Sequence, residues 1–140
     1  MALMIRLTIC LNIKFPNNMK IFDYFFYRTY RFQKTKNNPA LFSSSIYTAA
    51  VFLDLTAFVW YELLRAINGK VPDFQVLLLY GIFSVVFYLK YKKDKEQIIK
   101  RFNSSKYNKL IPNWILPIVL PLSIVIGFIL DYTFRRLLGI

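Results

Sequence analysis

Apolar and polar positions fall in long alternating blocks along this chain. Ile46 to Leu64 is a predominantly apolar run of nineteen residues. At 1.5 Å per residue a helix of that length covers about 28 Å, close to the ~30 Å hydrocarbon core of a bilayer. Phe74 to Leu89 holds no charged residue, and only Gln75 and Ser84 are strongly polar. Trp114 to Leu130 gives seventeen more residues without a charge. The pattern predicts an all-α membrane protein with three transmembrane helices, at about 41–67, 74–91 and 114–132.

The polar blocks set how these spans connect. Asn38-Pro39 is a helix-start signal and Asn68-Gly69 a helix-stop pair. Asn68 to Asp73, with Pro72 placed to restart a helix, is short enough to make the first two spans antiparallel neighbours. Lys90 to Arg101 carries six Lys/Arg against two acids and contains no Gly or Pro, so the second helix should continue beyond its span. Tyr91, Lys95, Ile98 and Phe102 share one face of that extension, which should fold onto the membrane or onto an earlier helix. Asn103 to Ser105 ends it. In the third span Pro117 and Pro121 predict a bend. With Ser123 and Gly127 they could form a hinge or groove, and a plain kink is the simpler reading.

Residues 1–18 read as a poorly structured extension ahead of a single three-span domain at 19–140, with Met19 as the expected start. The apolar run Leu7–Ile13 is too short for a signal peptide, and Leu7-Thr8-Ile9-Cys10 has the bulky Ile9 where a lipoprotein box needs a small residue. The next block is denser. Seven of the twelve residues Ile21–Phe32 are aromatic. Tyr24, Arg28, Arg31 and Thr35 line up at helical spacing, with Phe22, Phe25 and Phe26 off that stripe. This predicts an N-terminal interfacial amphipathic helix, with a partner-binding helix as the rival reading.

Phe22-Asp23-Tyr24-Phe25-Phe26-Tyr27-Arg28-Thr29-Tyr30, then Asn38-Pro39, then Ser43-Ser44-Ser45-Ile46-Tyr47, resembles a family of small, uncharacterised bacterial multi-span membrane proteins. Its members share an aromatic, Arg-containing opening, a serine-rich lead into the first span and a Lys-rich loop. The resemblance is most specific over 20–47. It implies architecture, and no catalytic residues come with it.

Charge changes the picture in one respect. The net charge is +12, a value that often points to nucleic acid. Here the basic residues are interleaved with apolar spans, so anionic lipid headgroups are the expected partner and nucleic acid is not. Arg28, Arg31, Lys92, Lys93, Lys100 and Arg101 are the expected headgroup contacts. Lys and Arg number seven before Leu41, two between spans one and two, eight in Lys90–Lys109 and two in the tail. By the positive-inside rule this places the chain in a bacterial inner membrane with its N-terminus cytoplasmic and its C-terminus external. No His is present, and Cys10 is the sole Cys. The commonest general base and metal ligand are therefore missing, and no internal disulfide can form. No catalytic residue, metal site or cofactor is expected.

Asp54 demands an explanation. It sits near the middle of the first span, at a cost of roughly 2.5–3.5 kcal/mol on insertion scales. Apolar neighbours offset that cost, and no Lys or Arg lies at its depth. A carboxylate unpaired in hydrocarbon is driven toward its neutral form. Tyr47, Asp54 and Tyr61 repeat at intervals of seven, so a continuous helix puts them on one face. The sharp reading of this polar site is proton or cation handling. The plainer one is a hydrogen bond between helices, within the bundle or an oligomer. Glu62 and Arg65 are spaced to pair at the span's end. The leading expectation is a structural or accessory subunit, in a homo-oligomer or a larger membrane complex. An oligomeric transporter or channel and a holin- or toxin-like pore former are the rivals, with an intramembrane enzyme last.

Overall fold

A computed structural model describes residues 20–36 and 39–139. The expected extension before Met19 and the cap at Asn38 lie outside these residues. All regular structure among the described residues is helical: α1 Lys20–Lys34, α2 Ala40–Leu55, α3 Ala57–Asn68, α4 Asp73–Phe102, the short α5 Tyr107–Leu110, a 3₁₀ turn Asn113–Ile115, and α6 Leu116–Leu138. Asp73–Phe102 and Asn113–Leu138 are long and apolar enough to cross a membrane, and α2 with α3 makes a third span if that bent pair counts as one. Their length and apolarity suit a membrane-embedded protein.

Helix α2 is the centre, packed against α1, α4 and α6. Its sequence explains why. Ser44, Ser45, Thr48 and Ala49 are all fully buried, and small side chains let neighbouring helices approach closely. Two of the three hydroxyls are satisfied within the helix, while the buried Ser44 Oγ has no hydrogen-bond partner among the described residues. Ser45 donates to the Leu41 carbonyl at 2.6 Å and Thr48 to the Ser44 carbonyl at 2.7 Å, the i−4 back-bond open to Ser and Thr in helices. Helix α6 makes contact through a narrower seam. Leu116, Ser123 and Gly127 are its only buried residues among those described, and most of its remaining apolar surface faces outward.

One of the expected elements needs correction. The first span is not one straight helix over 41–67. It breaks at Thr56, and α2 and α3 meet at 68°. Thr56 has φ −102° and ψ 7°, the sparsely populated bridge region. Its hydroxyl donates to the Phe52 carbonyl at 2.8 Å and accepts from the Trp60 indole at 3.1 Å. The third span is one continuous helix. It starts at Leu116, so Pro117 sits in the first turn, where proline fits, and only Pro121 lies inside. Tyr47 ties down the turn ahead of Pro121. Its hydroxyl donates to the Leu116 carbonyl at 2.6 Å and accepts from the Leu120 amide at 3.2 Å.

Helix α1 packs against α2 and the extension of α4. Phe26 and Tyr91 stack with centroids 3.9 Å apart and ring planes 7° from parallel. Phe26, Tyr27, Ala49, Phe87, Tyr91 and Ile98 form the buried core, and Phe102 closes on Tyr24 at 5.3 Å. Thus the shared face of Tyr91, Ile98 and Phe102 is turned toward α1. Lys90 pairs with Asp23 beside this core.

Candidate functional site

The break at Thr56 places the Asp54 side chain among three helices. Its two carboxylate oxygens are taken by different partners. The Tyr80 hydroxyl of α4 donates to Oδ1, and the Ser123 hydroxyl of α6 lies 2.9 Å from Oδ2. Asp54 is 7% exposed, so these bonds form away from water, where an unmatched carboxylate would be costly. The backbone approaches as closely as the side chains do. A Cβ built on Gly127 would stand 2.2 Å from the Asp54 carbonyl oxygen. Only glycine lets α6 lie this near the break.

The Ser123 hydroxyl carries a single hydrogen, and it has two acceptors within reach, Asp54 Oδ2 and the Leu120 carbonyl, the latter at 2.7 Å.

A cavity of about 160 Å³ adjoins the cluster, lined among others by Asp54, Ala57, Tyr61, Tyr80 and Gly127. A larger cleft of about 480 Å³, reaching Arg65 and Asp73, is also lined by Tyr61 and Tyr80. These two rings thus stand between Asp54 and the α3–α4 turn. Beyond them lies a charge network. Arg65 pairs with Glu62 and reaches Asp131 at 3.7 Å, and Arg135 reaches Glu62 at 3.6 Å.

The expected residues are therefore only partly brought together. Asp54 and Tyr61 share a cavity wall. Tyr47, seven residues before Asp54 on α2, faces α6 as Asp54 does but serves its first turn, and the break at Thr56 separates both from Tyr61 on α3. Tyr80 carries no sequence signal beyond lying inside a span, where tyrosine is less usual than at its ends. Ser123 and Gly127 do belong to the site: Ser123 bonds the Asp54 carboxylate and Gly127 meets its backbone. Among the headgroup candidates, Arg31, Lys92, Lys93, Lys100 and Arg101 are exposed. Arg28 is not: it is 6% exposed. Its guanidinium donates to the carbonyls of Asn108 (2.9 Å) and Ile111, and to Asn113 Oδ1 at 2.8 Å. It clamps the loop ahead of α6 instead of meeting the bilayer surface.

Among the described residues, no group of three Asp, Glu, Cys or His side chains is placed to hold a metal ion. Compared with known proteins, the chain matches no family, no curated protein and no solved structure.

Proposed function

We propose that this chain is a non-catalytic structural or accessory subunit of a bacterial inner-membrane assembly. In this reading it crosses the membrane three times, with the bent pair α2–α3 as the first span. Helix α1 lies at the cytoplasmic headgroup layer, the C-terminus is external, and the architecture is that of the small multi-span family its opening resembles. One observation carries the reading. The single acid at mid-span, the group best suited to ion chemistry, is engaged by Tyr80 and Ser123 of the same chain. Asp54 then acts as a joint that locks three helices. The outward faces of α4 and α6, with Leu77, Ile82 and Val85 on one and Leu122, Val125 and Ile129 on the other, are exposed and apolar. They are free to meet lipid or the spans of neighbouring subunits. The test is purification in mild detergent with mass spectrometry of the intact complex. The reading expects a stoichiometric partner, either a second copy or a larger membrane protein. A chain that runs solely as a monomer at every detergent concentration contradicts it.

A second reading has its own support. A broken span with a carboxylate at the break, beside a cavity, is how many transporters build ion sites. Under this reading an oligomer moves protons or cations past Asp54. Proteoliposomes separate the two: a flux present in wild type and lost in Asp54→Asn favours transport, and no flux above protein-free liposomes favours the joint.

A further inference from the structure

Two buried cations lie at the α1 end of the bundle, and their surroundings differ. Lys90 has the carboxylate of Asp23. Arg28 meets, among the described residues, only neutral acceptors: the Tyr24 hydroxyl, the Asn108 and Ile111 carbonyls and the Asn113 side-chain oxygen. These dipoles satisfy its N–H groups but leave its charge without a counter-anion. A buried ion without one is costly to hold.

One turn along α1, Arg31 has its guanidinium on the Tyr27 hydroxyl at 2.9 Å. It too has no carboxylate within ion-pair distance among the described residues. The two arginines, with Phe32, Thr35, Asn108 and Asn113, line a hollow of about 190 Å³. Pockets for drug-sized ligands run to roughly 300–1,000 Å³, so this one suits a small anion. The donors around it come from two directions: Arg31 from α1, and the Asn113 amide from the loop that Arg28 holds in place. Guanidinium groups with amide donors on separate elements match the oxygens of a phosphate. Trp114 follows directly and is 65% exposed, with Tyr107 also exposed on the same loop. Such amphipathic rings sit at the headgroup level of a bilayer.

We propose that the hollow between α1 and the Asn103–Asn113 loop is a binding site for a phosphate group. Arg28 supplies an uncompensated positive field from behind, and Arg31 and Asn113 supply the donors. The phosphate is either the headgroup of an anionic phospholipid or a free phosphate ion. The site does not depend on what Asp54 does.

The test uses the full chain in a neutral detergent and native mass spectrometry. Phosphatidylglycerol and phosphatidylcholine are added as probes, with and without inorganic phosphate. Two variants are compared with wild type: Arg31→Gln in the hollow, and Lys92→Gln with Lys93→Gln on the exposed face of α4. The inference expects selective retention of phosphatidylglycerol, weakened about ten-fold or more by Arg31→Gln, the loss of one charge-assisted hydrogen bond. The Lys92/Lys93 variant should retain the lipid as wild type does. Displacement of the lipid by inorganic phosphate identifies free phosphate as a ligand of the site. Retention in its presence identifies the headgroup. Equal binding of both lipids with no response to phosphate overturns the site. So does an equal loss in the Lys92/Lys93 variant, which would reduce the effect to diffuse surface charge.

Discussion

Gly127 of α6 touches the backbone of Asp54, so that a Cβ at position 127 would fall 2.2 Å from the Asp54 carbonyl oxygen. The obstacle is backbone, not a side chain that could swing away. Gly127→Ala should therefore push α6 off the break and lower stability by about 1–3 kcal/mol, the usual range for overpacking. Gly81 has no atom within 4 Å of its would-be Cβ, so Gly81→Ala should leave the unfolding midpoint unchanged or raise it slightly. Thermal unfolding of both variants in mild detergent checks the contrast. Equal effects would mean that the close approach does not exist.

Tyr80→Phe and Ser123→Ala each remove one partner of Asp54. Interhelical hydrogen bonds in membranes are worth about 0.6 kcal/mol on average and up to ~1.7, so each single loss should fall in that range. The two sites share one carboxyl, so the double variant should depart from additivity. A double-mutant cycle on unfolding free energies measures this. Strict additivity would show that the two hydroxyls do not act on a common group.

The legible and the illegible parts of this chain divide on physical grounds. Spans two and three could be read because a run such as Phe74–Leu89 announces its solvent without reference to anything else. The helix continuing to Phe102 was equally local, resting on a stretch free of Gly and Pro. The break at Thr56 was not. No Gly or Pro occurs in Asp54-Leu55-Thr56-Ala57, and the bend accompanies a threonine back-bond, which many straight helices also hold, and the docking of Gly127, which is distant in sequence. Pro121 lies inside a continuous helix, and the turn ahead of it meets the Tyr47 hydroxyl. The site was half visible. Asp54 stood out by its depth, while Tyr80 looked like any aromatic in a span. Arg28 fell on a polar stripe by its spacing. Its burial requires the loop around Asn108 and Ile111, some eighty positions away, to fold back over it.

That loop supplies a third prediction. Arg28→Ala removes the clamp and leaves the Asn108 and Ile111 carbonyls without their guanidinium donor. Hydrogen bonds to charged groups are worth about 1.5–3 kcal/mol, so the loop should open more often. Limited proteolysis should cut between Asn103 and Asn113 several-fold faster than in wild type. Unchanged cleavage would mean that the loop is held by other contacts.

Topology gives a fourth. Reporter fusions after Arg101 should read as cytoplasmic, and fusions after Lys70 and at Ile140 as external, because the basic blocks flank the first and second spans on one side. A cytoplasmic signal at Ile140 would mean that α6 does not cross the membrane or that the whole orientation is inverted.

Asp54 joins α2 to α4 and α6 through Tyr80 and Ser123. The most direct measurement is the unfolding midpoint in mild detergent of Asp54→Asn and Asp54→Leu beside wild type. Asparagine keeps a side chain able to bond Tyr80 and Ser123, and it should stay close to wild type. Leucine removes both interhelical bonds, so it should lose roughly 1–3 kcal/mol, even though it eases insertion of the span. A leucine variant as stable as wild type, or more so, would contradict the joint and leave Asp54 to a role in moving ions.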